Sequence, residues 1–139
     1  MSEKAGEKVF LMPLEAVQPS QLYISQEKRI TLQDLIDFTD LSAIPPIPVR
    51  ILGNEIVMTD GHTRAFGAYL AGQEKLPVNW DQDELDWEAY QICVDWCHEE
   101  GIHLIGDLEG RLITPEDYER LWYQRCREMQ SKLADERKK

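Results

Sequence analysis

What this sequence lacks narrows it before any motif does. No apolar run approaches the roughly 20 residues that a helical membrane span requires. Residues 1–8 carry none of the apolar core of a secretory leader. Cysteine is scarce: three residues, an odd number without paired spacings, fit a reducing compartment better than a disulfide-stapled secreted fold. These absences predict a cytoplasmic protein with no membrane attachment. Basic charge is short as well. With 15 Lys and Arg against 26 Asp and Glu the net charge is −11, a field that repels nucleic-acid phosphates. The basic residues near the end (Arg125, Arg127, Lys132, Arg137, Lys138, Lys139) are interleaved with Glu128, Asp135 and Glu136. That is the pattern of a solvated helix face, and nucleic-acid binding is disfavoured.

What is present describes an ordinary globular chain. At 139 residues, with 42% hydrophobic and 29% charged residues, it supports one core and not two comfortable domains. The polar residues 1–8 are expected to be disordered. Val9–Met12, ended by Pro13, reads as a strand, and Pro19-Ser20 as a turn. Gln21–Ile30 has no clean period and is expected to be irregular with some helical character. Thr31, with Asp34 three residues on, reads as the cap of a short helix carrying Leu32, Leu35, Ile36 and Phe38. Ile47–Leu52 and Glu55–Thr59 flank Gly53-Asn54 as a hairpin. Pro48, lacking an N–H, is expected at an edge or bulge. After a helix ended by Gly72, Leu76–Trp80 reads as a further strand. Residues 9–80 therefore predict an α+β core: a small mixed sheet with helices. An acidic connector then leads into a helical extension over 81–139 that packs on the core. This extension contains a helix from about Leu85 to Glu100 and a last helix opened by Thr114-Pro115.

The most informative stretch is Ile56–Gly72. An apolar run breaks at Asp60-Gly61, His62-Thr63-Arg64 follows, and a helical pattern continues. This is a strand, a tight turn and the first turn of a helix, where free N–H groups and the positive dipole end attract anions. Two readings of these residues stand open. Backbone N–H groups from Gly61 onward, the Thr63 hydroxyl and the Arg64 guanidinium can hold phosphate oxygens, with Asp60 on a divalent cation. Alternatively, Asp60 caps the helix, Gly61 supplies a special backbone angle, and Arg64 pairs with one of many acids.

In order and spacing, residues 9–80 resemble the ParB N-terminal domain and sulfiredoxin superfamily. The resemblance rests on Val9–Leu14 opening into Pro19-Ser20, the helix near Leu35, Ile47-Pro48-Val49, and Ile56–Gly72. It covers about half the chain, and Asp60-Gly61-His62-Thr63-Arg64 carries most of it. In that superfamily the strand-turn-helix binds nucleotide phosphates. ParB proteins carry Gly-x-Arg-Arg and bind CTP, sulfiredoxin carries Gly-Cys-His-Arg and uses ATP, and free-serine kinases carry Asp-Gly-His-His-Arg, the form nearest to this chain. The departures matter too. His62 stands where sulfiredoxin has its reactive cysteine, Thr63 stands where the kinases have a second histidine, and no ParB-like helix-turn-helix follows.

The resemblance implies a domain that binds a nucleotide (ATP, ADP or CTP, with Mg²⁺) or another phosphate ligand at Gly61, His62, Thr63 and Arg64, with Asp60 as the magnesium ligand. The alternative is a small Mg-dependent phosphotransferase or nucleotide hydrolase, with Asp60 and His62 at the metal and phosphates. Glu27 falls where the kinases place their catalytic glutamate and would be the base, although a surface glutamate beside Lys28 and Arg29 has a plain solvated reading. A weaker alternative, from ParB alone, is a non-catalytic partner of DNA-processing or chromosome-partitioning machinery. Cys93 and Cys97, four apart near His98 and His103, are expected to be core residues and not zinc ligands. Trp87, Tyr90, Trp96, Tyr118, Trp122 and Tyr123 are expected to form the seam of the helical extension. A homodimer through that extension is the secondary expectation.

Overall fold

The computed structural model describes residues 8–138; the disorder expected over 1–8 falls outside these except at Lys8. The architecture is α+β. A curled five-stranded sheet runs in the order β1-β6-β4-β5-β2, from β1 (Phe10–Pro13), β2 (Val17–Gln18), β4 (Ile47–Leu52), β5 (Glu55–Met58) and β6 (Lys75–Trp80). The β4–β5 hairpin is antiparallel and turns at Gly53, whose φ of 61° only glycine adopts easily. β6 lies parallel to β4, β1 antiparallel to β6, and β2 parallel to β5. Ile47 and Val49 of β4, Met58 of β5, and Leu76 and Val78 of β6 are buried in one core with Ala65 and Phe66 of helix α2 (His62–Leu70). Gly67 lets α2 pass close to Phe38, since a Cβ there would lie 2.6 Å from the ring. Gly72, at φ 84°, follows the helix as expected.

Three expectations are corrected. The region Gln21–Ile30 is more regular than expected: it holds β3 (Ile24–Ser25), and its helical character is the first half of α1 (Gln26–Leu35). Ser25, not Thr31, is the cap, accepting from Lys28 N at 3.4 Å. Thr31 sits inside the helix and its hydroxyl donates back to the Glu27 carbonyl at 3.0 Å, a bond available to threonine in a helix interior. β3 pairs in parallel with β7 (Leu112–Ile113), which ties the start of α1 to the C-terminal part of the chain. The third correction concerns Pro48, which lies in a central strand and not at an edge. It sits where β5 ends: Thr59 N donates to the Pro48 carbonyl at 3.0 Å. Proline cannot return that bond. The Tyr90 hydroxyl does so instead, donating to the Thr59 carbonyl at 2.9 Å.

The C-terminal elements pack on this core. Helix α3 (Trp87–Glu99) is capped by Asp86, which accepts from Ala89 N at 3.2 Å and is held by the Arg137 guanidinium at 2.8 and 3.0 Å. Thr114 caps α4 (Pro115–Tyr118), a π turn covers Glu119–Tyr123, and α5 (Gln124–Arg137) completes the chain. Trp96 meets Trp122 edge-on with centroids 6.2 Å apart, so the expected aromatic seam exists there. Among the described residues no helix is long and apolar enough to cross a membrane.

Candidate anion-binding cleft

The site begins with the way the chain enters α2. After β5, Asp60 is exposed and its Oδ1 accepts from Gly61 N at 2.8 Å. Gly61 has φ 77° and ψ 21°, a left-handed conformation that turns the chain into the helix. No side chain caps this helix, so the turn leaves its leading N–H groups for an external acceptor. A Cβ on Gly61 would lie 2.7 Å from Arg64 Nη2 and 3.1 Å from Ile47 Cδ1. The Arg64 guanidinium is therefore folded back over the turn. It is half-buried and, among the described residues, has no hydrogen-bonding or ionic partner.

In front of the turn lies a cleft of about 480 Å³. It is lined by Asp60 to Arg64, by Gln21, Lys28 and Leu32, and by Tyr118, Trp122 and Tyr123. A smaller hollow of about 220 Å³ adjoins it, shares Lys28, Leu32 and Thr63, and is bordered by Glu27. Glu27 is exposed and borders this smaller hollow; it is not among the residues that line the cleft in front of the turn. On the other flank Asp60 also borders a polar hollow with Asp81, Asp83 and Tyr90. The Thr59 hydroxyl holds Asp81 there at 2.6 Å. Among the described residues no three His, Cys, Asp or Glu side chains are placed to hold a metal ion.

His62 departs from its expected role. Its side chain is 4% exposed, and Nε2 accepts from the Ser20 backbone N–H at 2.9 Å. The ring proton then sits on Nδ1. Burial lowers the pKa to about 4, with the Asp60 charge opposing weakly, so the ring is neutral near pH 7. A neutral ring whose lone pair is occupied serves as neither base nor metal ligand. His62 instead fixes the Pro19–Ser20 turn against α2, while the Ser20 hydroxyl donates to the Met58 carbonyl at 2.6 Å. What remains for an anion is its backbone N–H and the Nδ1–H of the ring.

Sequence reasoning missed Lys28, Gln21, Tyr118 and Tyr123 as cleft residues. Lys28 Nζ donates to Tyr123 Oη at 2.9 Å, and Gln21 Nε2 donates to Tyr118 Oη at 2.8 Å. The signal for the tyrosines is masked because they are five apart, a spacing that separates faces in an α-helix. Tyr118 and Trp122, expected in the seam of the helical extension, are each only 6% exposed. Cys93 and Cys97 are buried, at 7% and 0% exposure, as core residues. Burial pushes the Cys97 thiol up to about 12, so it stays protonated at neutral pH.

The class these features define is an α+β domain with a cleft at a strand-to-helix turn, lined by Lys28, Arg64 and Asp60. No protein-family model matches the chain, and no curated protein does. Among solved structures it is similar to the crystal structure of protein Atu1540 from Agrobacterium tumefaciens, at TM-score 0.40 and 14% identity. That likeness covers 64% of this chain and 48% of the other, so the chain spans about half the length of that protein. It carries no argument about function.

Proposed function

We propose that this chain is a ParB/sulfiredoxin-like domain whose Gly61–Arg64 turn binds a nucleotide or another phosphate ligand. The observation that carries the reading is the Arg64 guanidinium: half-buried and unpaired in a chain with 26 acidic residues, it sits over the uncapped end of α2. A guanidinium held partly out of water with no acid beside it is open to an anion, and a phosphate offers it a bidentate acceptor. The leading N–H groups of α2 and the Thr63 hydroxyl add donors for the same anion. Asp60, with one carboxylate oxygen tied to Gly61 N, keeps the other for a magnesium ion shared with phosphates. Magnesium commonly takes only one or two protein carboxylates when phosphates supply the rest. The likeness of Asp60–Arg64 to the superfamily motif favours ATP, ADP or CTP over an isolated phosphate.

A second reading, a small phosphotransferase, has one observation in its favour: Glu27 borders the hollow beside Thr63. In that reading an acceptor hydroxyl in the hollow attacks the terminal phosphorus of the nucleotide. Glu27 takes the hydroxyl proton, and the nucleoside diphosphate leaves.

Thermal unfolding with ATP, ADP or CTP and Mg²⁺ tests the binding reading. A ligand at a hundred times its Kd stabilises the fold by about 2.7 kcal/mol. No shift at millimolar nucleotide, or an equal shift in Arg64→Ala, refutes it. Glu27→Gln separates the two readings. Retained binding with lost phosphoryl transfer supports catalysis, whereas wild-type turnover in the variant eliminates Glu27 as the base.

A further inference from the structure

The electrostatics of the cleft single out Lys28. Arg111, Arg120, Arg125, Arg127 and Arg137 each meet a carboxylate, whereas Arg29 bonds Gln33 and Arg50 lies over Trp87. Lys28 and Arg64 face one cleft, and among the described residues neither pairs with an acid. Lys28 is nevertheless held in place. Its ammonium donates to Tyr123 Oη at 2.9 Å and stands 5.4 and 5.5 Å from the ring centroids of Tyr118 and Tyr123. The two rings meet edge to face at 4.8 Å, and Gln21 anchors the Tyr118 hydroxyl.

This cradle depends on an uncommon piece of backbone. In an α-helix, Tyr118 and Tyr123 would diverge. Between them lies the π turn, closed by a bond from Gln124 N to the Glu119 carbonyl. Such turns bring residues five apart onto one face, and they recur at functional sites. The ammonium has three donors. One goes to Tyr123, and the remaining two have no acceptor among the described residues. The side-chain ordering that a lysine ordinarily undergoes on binding an anion is thus largely done in advance.

Building on the phosphate reading of the Gly61–Arg64 turn, we propose that Lys28 in its tyrosine cradle is a second anion subsite, and that the cleft takes ligands with two linked phosphoryl groups in preference to a single phosphate. One phosphoryl group lies at Arg64 and the α2 turn, and the next reaches the Lys28 ammonium across the cleft. The carboxylates of Asp60 and Glu27 border the same region, so an anion that meets only one of the cations gains little.

Calorimetric titration of inorganic phosphate and of pyrophosphate, both without metal, tests this on the whole chain. The variants are Lys28→Met, Lys28→Arg and Arg64→Ala, with folding verified by circular dichroism. Methionine keeps the apolar stem against the tyrosines and removes the charge. Wild type is expected to bind pyrophosphate at least about tenfold tighter than phosphate, the scale of one added charge-assisted contact. Lys28→Met is expected to lose that preference while its phosphate affinity stays within about twofold, Lys28→Arg to keep part of it, and Arg64→Ala to weaken both anions. An unchanged preference in Lys28→Met, or no preference in wild type, overturns the second subsite and leaves the phosphate reading standing. If neither anion binds wild type, or Arg64→Ala binds both normally, the phosphate reading falls and this inference with it.

Discussion

His62 offers the sharpest test of how the turn is built. Its ordinary pKa of 6.5 drops to about 4 because the ring is buried, with the Asp60 charge pulling weakly the other way. A base whose folded pKa lies below its unfolded value binds its proton better in the unfolded chain. Stability from this group is therefore fully present above about pH 6.5 and is lost as pH falls towards 4. The complete effect is about 3 kcal/mol, of which about 2 kcal/mol disappears between pH 7 and pH 5. Urea unfolding followed by tryptophan fluorescence at pH 5, 6 and 7 measures it, compared with His62→Gln. Glutamine keeps an acceptor for the Ser20 N–H and has no titration, and every other titrating group is common to both proteins. The variant should be less stable at pH 7 and lose about 2 kcal/mol less than wild type between pH 7 and pH 5. Equal losses in the two proteins would refute the buried, neutral ring and, with it, the structural assignment of His62.

Two further substitutions test the packing that positions the site. Gly67→Ala brings a Cβ to 2.6 Å from the Phe38 ring; overpacking of about 1–3 kcal/mol should outweigh the helix-propensity gain of about 1 kcal/mol. A lower urea midpoint is expected, and a raised midpoint would mean that Phe38 moves freely. Tyr90→Phe removes the donor that stands in for the missing Pro48 N–H at the Thr59 carbonyl. It should cost about 1–2 kcal/mol, while Tyr90→Phe with no measurable loss would show that water takes over that carbonyl.

The locally encoded features were legible in the sequence. Gly53-Asn54 specified the hairpin, Asp60-Gly61 the strand-to-helix break, Gly72 the helix stop, and Thr114-Pro115 the start of α4, each through chemistry within a few residues. Features that depend on partners far along the chain were not. β3 and β7 are two residues each and exist only because Ile24 and Ser25 meet Leu112 and Ile113. Thr31 carried a plausible cap signal, but Ser25 with Glu27 in the first turn began the helix sooner. His62 looked like chemistry because the motif is polar; only the approach of Ser20, 42 residues earlier, reveals it as a strut. Lys28 is an exposed charge, and its contact with Tyr118 and Tyr123 was hidden because the π turn that aligns those rings has no simple period in sequence. The turn from Asp60 to Arg64 was legible in the sequence as a strand-to-helix junction, and the residues that line the cleft in front of it were not.

The central claim is that phosphate oxygens meet the first N–H groups of α2 under the Arg64 guanidinium. Amide ¹H–¹⁵N spectra recorded during a titration with ATP and Mg²⁺ test it residue by residue. The account predicts the largest shifts at His62, Thr63 and Arg64, abolished in Arg64→Ala. Unmoved amides at these three positions with millimolar nucleotide present, or shifts centred instead on the groove of Ile36, Phe38 and Leu70, would contradict it.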